Sequence, residues 1–325
     1  MPMRSTVFSF FLCLSFPSFA LETDNYLTWD KNLRDSSVQI NRFFTESIEY
    51  ALLNIPDHQS KSCEEMTALI GKDFESHLVH DNPVENWLFR ILTDEEMFPA
   101  GLHYIDESIY RDPYRFYIPW FGLAPNIQVN GYYFGTDKLS HFASTGRIYF
   151  RIYQKELRNK LTPENALKKA IDWGIKDEKT VHGYWASGVF SYSDLEANYQ
   201  GFRFYQDFCN GRNSFLRQSE DGNWKLINKP EIKKYVNAYW DETFELPYRL
   251  PENWKKVSHV IKEKYCSLAN SGLVRKRFRY YQSSGSTGFS KEYLAQRRDL
   301  PSPSQTQSFT NICSEDGIEE VILLN

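Results

Sequence analysis

Apolar residues along this chain recur mostly with a period near 3.6, which predicts helices rather than strands. Leu33, Ile40, Phe43, Phe44, Ile48, Leu52 and Leu53 form one such series, with Thr28 or Asp30 as its cap and Pro56 as its end. Ser62-Cys63-Glu64-Glu65 has the form of a capping box and opens a second helix through Met66, Leu69, Ile70 and Phe74. Asn82-Pro83 opens a third, carrying Trp87, Leu88 and Ile91. Between Phe98 and Phe134 the period is lost in an irregular aromatic segment. Short strands are expected there at Ile109-Tyr110, Arg115 to Ile118 and Ile127 to Val129. Farther on, 223–228 predicts a strand, and 230–239 and 254–268 predict helices. The expected fold is mainly α, a bundle-like helical domain with a few short strands and one irregular aromatic segment.

The first twenty residues follow a different rule. Arg4 precedes an apolar run from Val7 to Phe16, then Pro17, Ser18, Phe19 and Ala20. This is the pattern of a secretory signal peptide cleaved after Ala20, and the run is too short for a membrane span. The expected organisation is a signal at 1–20, a helical and aromatic region at 21–134, and a motif-bearing helical region at 135–270 packed with it as one unit. A mobile tail is expected at 271–325. In that tail Arg275, Lys276, Arg277 and Arg279 interleave with Phe278, Tyr280 and Tyr281. A solvated basic face explains that cluster more simply than nucleic-acid binding does.

Composition sharpens the picture. With 25% charged residues and a mean hydropathy of −0.55, the chain is neither a polytopic membrane protein nor intrinsically disordered. No second long apolar run follows the signal, so no transmembrane segment remains after cleavage. Removing residues 1–20 removes Arg4 and no acid, which takes the net charge from −4 to −5. Four cysteines then remain, Cys63, Cys209, Cys266 and Cys313. In an exported, periplasmic or secreted chain they are expected to pair, and Cys209 with Cys266 is the first pairing the pattern suggests. Trp173, Trp185, Trp240 and Trp254 are read as core packing in preference to a glycan-stacking surface.

Candidate chemistry gathers at three helix starts. Thr136 precedes Asp137-Lys138-Leu139-Ser140-His141-Phe142, a helix expected to run to about Leu157. Asp137 and His141 lie four apart on one face, and Arg147, Arg151 and Arg158 are expected to mark the exposed strip. Thr162-Pro163-Glu164 opens a helix with a line of small residues, Ala166, Ala170 and Gly174. The same line reaches Glu178 and then His182 if the helix persists. A third start, Phe190 to Gly201, offers Ser193 with Glu196 as a capping box and puts Asp194, Asn198 and Gly201 on one face.

Asp-Lys-x-x-His-Phe at 137–142 and the later series Asp194, Leu195, Asn198 and Gly201, behind Ser191 or Ser193, resemble the VanZ-like family. They look closer still to its soluble YfiM-like exported relatives. The resemblance covers about 65 residues. It implies an envelope location and a shared polar centre, without a settled reaction. Arg147 and Arg151 depart from the membrane-spanning members of that family.

Three readings of the centre stay open. In the first, buried Asp137, Lys138, His141 and Asn198 form a satisfied structural network, with Glu178, His182 and Ser193 as further members. In the second, the site is catalytic or binds a ligand. His141 acts as general base, oriented by Asp137, and Lys138 and Asp194 complete a hydrolase acting on a phosphorylated lipid or glycan. In the third, Asp137, His141 and Glu178, with His182 and Asp194, hold a divalent metal, the one cofactor the spacing suggests. An anionic envelope lipid or glycan is the candidate partner.

Overall fold

The computed structural model describes residues 22–75, 82–99, 104–111, 123–180, 183–184, 187–285, 288–301, 307 and 312–313. The expected signal peptide, the strand at 115–118, His182 and Trp185 lie outside the described residues.

Strand β1 (Glu22–Thr23) leads to Asp24, whose carboxylate accepts the Tyr26 N–H and winds Asn25–Thr28 into one tight turn. The donors that follow are committed elsewhere. Arg34 N–H bonds to the Glu95 carbonyl and Ser36 N–H to that of Gln128. Helix α1 (Ser37–Asn54) therefore starts well after Thr28 and Asp30, a correction to the expected cap. The capping box at Ser62 and Glu65 forms as expected and opens α2 (Cys63–Ile70). Asn82 caps α3 (Pro83–Ile91), with proline in its first turn.

Four short strands follow, β2 (Met97–Phe98), β3 (Leu123–Ala124), β4 (Asn126–Val129) and β5 (Tyr132–Gly135). Strands β2, β4 and β5 form an antiparallel sheet, and β1 pairs in parallel with β3. The expected strand at Ile109-Tyr110 is a turn instead. Its N–H groups bond to the side chains of Asp24 and Ser108, so they are unavailable to a ladder.

From β5 the chain enters α4 (Asp137–Ser140), passes through a π-helical turn (His141–Thr145) and continues as α5 (Gly146–Arg158). Helix α6 (Pro163–Glu178) and helix α7 (Tyr192–Gln206) pack against it, with β6 (Val189–Phe190) between them. The approach is at backbone distance. A Cβ added to Gly201 would sit 2.0 Å from the Phe142 carbonyl oxygen, so only glycine fits there. The small-residue line on α6 has the same purpose, because the Tyr149 side chain lies directly against Gly174. Arg147 is not on an exposed strip, as the sequence suggested, but is 3% exposed. It pairs with Glu75 and donates to the Ala68 carbonyl, while Arg151 and Arg158 remain at the surface.

Strands β7 (Leu216–Gln218) and β8 (Trp224–Leu226) make a hairpin. The helix expected at 230–239 is replaced by tight turns at Ile232–Lys234 and Ala238–Trp240. Asn41 and Asn237 take the Ile232 and Tyr239 N–H groups that would have continued it. Strand β9 (Tyr248–Arg249) pairs with β6 and precedes α8 (Pro251–Val260). A second π turn (Ile261–Tyr265) leads into α9 (Cys266–Ala269).

The segment expected as a tail opens instead with a packed helix, α10 (Gly272–Ser283). Val274, Phe278 and Tyr281 are buried on one side. Arg277, from the basic cluster, is also buried, its guanidinium 3.5 Å from the centre of the Tyr133 ring and bonded to the Thr28 carbonyl. Lys276 and Arg279 face solvent.

The disulfides are Cys63–Cys209 and Cys266–Cys313, not the expected Cys209–Cys266. The end of α7 lies on the start of α2, where Thr67 Oγ1 is 3.3 Å from Cys209 Sγ, so Cys63 is the near partner. A single apolar core runs from Tyr26 to Cys313, and Trp240 is fully enclosed in it, edge-on to Phe134. The fold is mainly α, and among the described residues no helix is long and apolar enough to cross a membrane.

Candidate functional site

Strand β5 delivers the chain to Gly135 and Thr136 with no room to spare. A Cβ on Gly135 would meet Thr23 Oγ1 at 2.2 Å and Asp137 Oδ1 at 2.3 Å. This close crossing sets α4 beside β1 and points Lys138 inward. Thr136 does not cap the helix through its side chain, and its hydroxyl is buried without a hydrogen bond.

Lys138 is 1% exposed and is the hub of the centre. Its ammonium lies 2.7 Å from Asp137 Oδ2, 2.6 Å from Asp194 Oδ1 and 2.8 Å from Glu242 Oε1. Asp137 and Glu242 accept aligned hydrogen bonds, while Asp194 is an ion pair off the hydrogen-bond axis. These carboxylates come from α4, α7 and the turn after Trp240. The Asn25 side chain fixes that turn by accepting the Glu242 N–H.

His141 stands one turn further along, with both ring nitrogens engaged. Nε2 is 3.4 Å from Asp194 Oδ2, and Nδ1 is 3.1 Å from Asn198 Oδ1. The start of α7 uses Ser191 rather than Ser193 as its cap. Ser191 Oγ accepts the Asp194 N–H and donates to Glu242, which ties the cap to the hub. Ser193 is fully buried and its hydroxyl has no hydrogen-bond partner. Glu178, the last residue of α6, accepts the Ser191 N–H at 2.9 Å. The helix ends there, so the spacing argument from Glu178 to His182 does not hold.

Three acids join that the sequence reading missed, namely Glu22, Glu85 and Glu242. The Ser140 hydroxyl donates to Glu85. Only Glu85 carried a legible signal, since it lies between Val84 and Leu88 on the inward face of α3. Six carboxyl groups thus surround one lysine and one histidine, and burial disfavours the charged forms. Burial, reinforced by Glu242 and Asp194, pushes Glu22 up to about 8. Burial pushes Glu85 up to about 7 against the pull of Ser140 and Lys138. Burial likewise holds Asp137 and Glu178 well above the usual carboxylate range. Asp194 goes the other way, because His141 and Lys138 outweigh its burial and keep it below its ordinary value. Burial therefore favours the protonated forms of Glu22, Asp137 and Glu178, while the neighbouring positive charge favours a carboxylate on Asp194.

The donor set does not suit the expected metal. Asp137 and Asp194 each commit an oxygen to the Lys138 ammonium, which occupies the place a cation would take. Among the described residues, no three His, Cys, Asp or Glu side chains converge as metal ligands. Comparison with protein-family models, with curated proteins and with solved structures finds no match for this chain.

Proposed function

We propose that this is an exported cell-envelope protein whose polar centre fastens the fold and is not an active site. The observation that carries this reading is the state of the two basic residues. One ammonium is already engaged by three carboxyl groups, and the imidazole is held on both nitrogens. A general base needs a free nitrogen facing its substrate, and a phosphate site needs unspent positive charge. The paired cysteines and the resemblance to VanZ-like and YfiM-like proteins support the envelope location.

The second reading, a small neutral ligand such as a glycan fragment, has one observation in its favour. Asp137 Oδ1, Glu242 Oε2 and the Ser193 hydroxyl are buried without a hydrogen-bond partner.

His141→Ala distinguishes the two. It leaves Asp194 and Asn198 short of a partner and is expected to destabilise the protein by about 1–3 kcal/mol, read as a lower melting temperature. An unchanged melting temperature together with a failure to complement the deletion strain would overturn the fastener and favour the ligand site.

A further inference from the structure

A separate cleft lies between α1 and α3, away from the polar centre. Phe43, Glu46, Ser47 and Tyr50 project from one face of α1, at the spacing of successive helical turns. Trp87 of α3 and Asp73 of the turn after α2 close it, around a volume of about 260 Å³. The lining is three aromatic rings, two carboxylates and a hydroxyl, with no basic side chain. Phe43 and Trp87 are inclined at 52° with ring centres 6.0 Å apart. Tyr50 stands 65% exposed at the rim, where nothing in the packing of the core requires a large aromatic residue.

The charges show what such a lining accepts. Arg42 carries its guanidinium 5.5 Å from the Trp87 ring centre and pairs with Glu46 at 2.7 Å. The chain thus already places one of its own cations on this indole. Asp73 is different. Among the described residues its carboxylate has no ion-pair or hydrogen-bond partner, so within them it is an uncompensated carboxylate at the cleft.

Aromatic faces beside an unpaired carboxylate attract organic cations, since the ring quadrupole and the carboxylate act in the same direction. A metal ion would gain little from the rings, and a neutral apolar ligand would gain nothing from Asp73. We propose that this cleft binds an alkylammonium group of the trimethylammonium class, enclosed by Phe43, Tyr50 and Trp87 and neutralised by Asp73. Arg42 then competes for the indole face and for Glu46.

The test titrates the full-length mature protein with choline and with its neutral isostere, in which carbon replaces the quaternary nitrogen. Calorimetry and tryptophan fluorescence report binding. Choline is expected to bind saturably and the isostere about fivefold more weakly. Tyr50→Ala and Asp73→Asn, both at exposed positions, are each expected to weaken choline two- to fivefold, again about the size of an exposed cation–aromatic contact. Their melting temperatures should not change. Arg42→Ala is expected to tighten binding. The proposal is overturned by absence of saturable choline binding, by equal affinity for the isostere, by unchanged affinity in both weakening variants, or by weaker binding in Arg42→Ala.

Discussion

Replacing Lys138 with methionine is expected to cost about 3–5 kcal/mol, the range for removing one partner of a buried ion cluster. Methionine keeps much of the stem and its packing, so the loss isolates the charge. Without the ammonium, Asp194 and Glu242 face each other in a dry interior with Asp137 alongside. They cannot all ionise, and each proton they take up above its ordinary range is a cost to the folded state. The loss should therefore be smaller in mild acid, where the unfolded chain also holds those protons. Urea unfolding midpoints at two pH values measure both effects. Adding Asp194→Asn and Glu242→Gln to Lys138→Met should recover part of the stability, because uncompensated charge is the damage. A loss below about 1 kcal/mol, or no recovery in the triple variant, would show that Lys138 is not the hub of the fold.

The hub was half legible in the sequence, for physical reasons that differ by residue. Asp137, Lys138, His141, Asp194 and Asn198 stand at helix starts and do come together, but across helices: His141 is held by Asp194 and Asn198, not by Asp137 four residues before it, which bonds to Lys138 instead. Glu178 was reached through the small-residue line of α6, which is packed as its composition implied. Glu242 had no such handle, because it sits in a turn held by Asn25 from more than two hundred residues away. Glu22 lies in a two-residue strand, too short for a pattern. Ser191 and Ser193 are both competent caps by type. The choice between them depends on Glu242, which accepts the Ser191 hydroxyl and so fixes the cap from outside the helix. The disulfides follow the same logic. Cys63 and Cys209 are 146 residues apart, and only the docking of α7 on α2 makes them neighbours. Local period predicted most of the helices, but not the turns that replace one at 230–239 or the burial of Arg147. What it missed was contributed by single residues from distant turns.

Stability should be highest in mild acid and fall as pH rises to about 8, the reverse of an ordinary acid-sensitive protein. Glu85 has an ordinary value of 4.5 and is held at about 7, and Asp24, with an ordinary value of 3.8, is also held at about 7. For Asp24 burial again leads, opposed by its bonds from the Ile109 and Tyr26 N–H groups. Glu22 goes from 4.5 to about 8. Between those limits the folded state keeps a proton that the unfolded chain has released. The contribution is fully present below the unfolded value and is lost as pH rises through the folded one. Each such group sets a slope of at most about 1.4 kcal/mol per pH unit. Asp24 and Glu85 are the firmer carriers, at 1% and 5% exposed, while Glu22 is only part-buried. Asp194 has the opposite sign. Its folded value is lowered, so its contribution is present above its ordinary value of 3.8 and is lost in stronger acid. Together these place the maximum at the lower edge of the ordinary carboxylate range. Melting temperatures taken across about pH 3 to 9 should peak near about pH 4, a position set by those ordinary values. Glu85→Gln keeps an oxygen to accept from Ser140 but cannot ionise, so it should flatten the decline between about pH 5 and 7 and leave the acid limb unchanged. A profile that is flat or rising over that interval in the unmodified protein would mean that these carboxyls are ionised in the folded state, and that the centre is not proton-loaded.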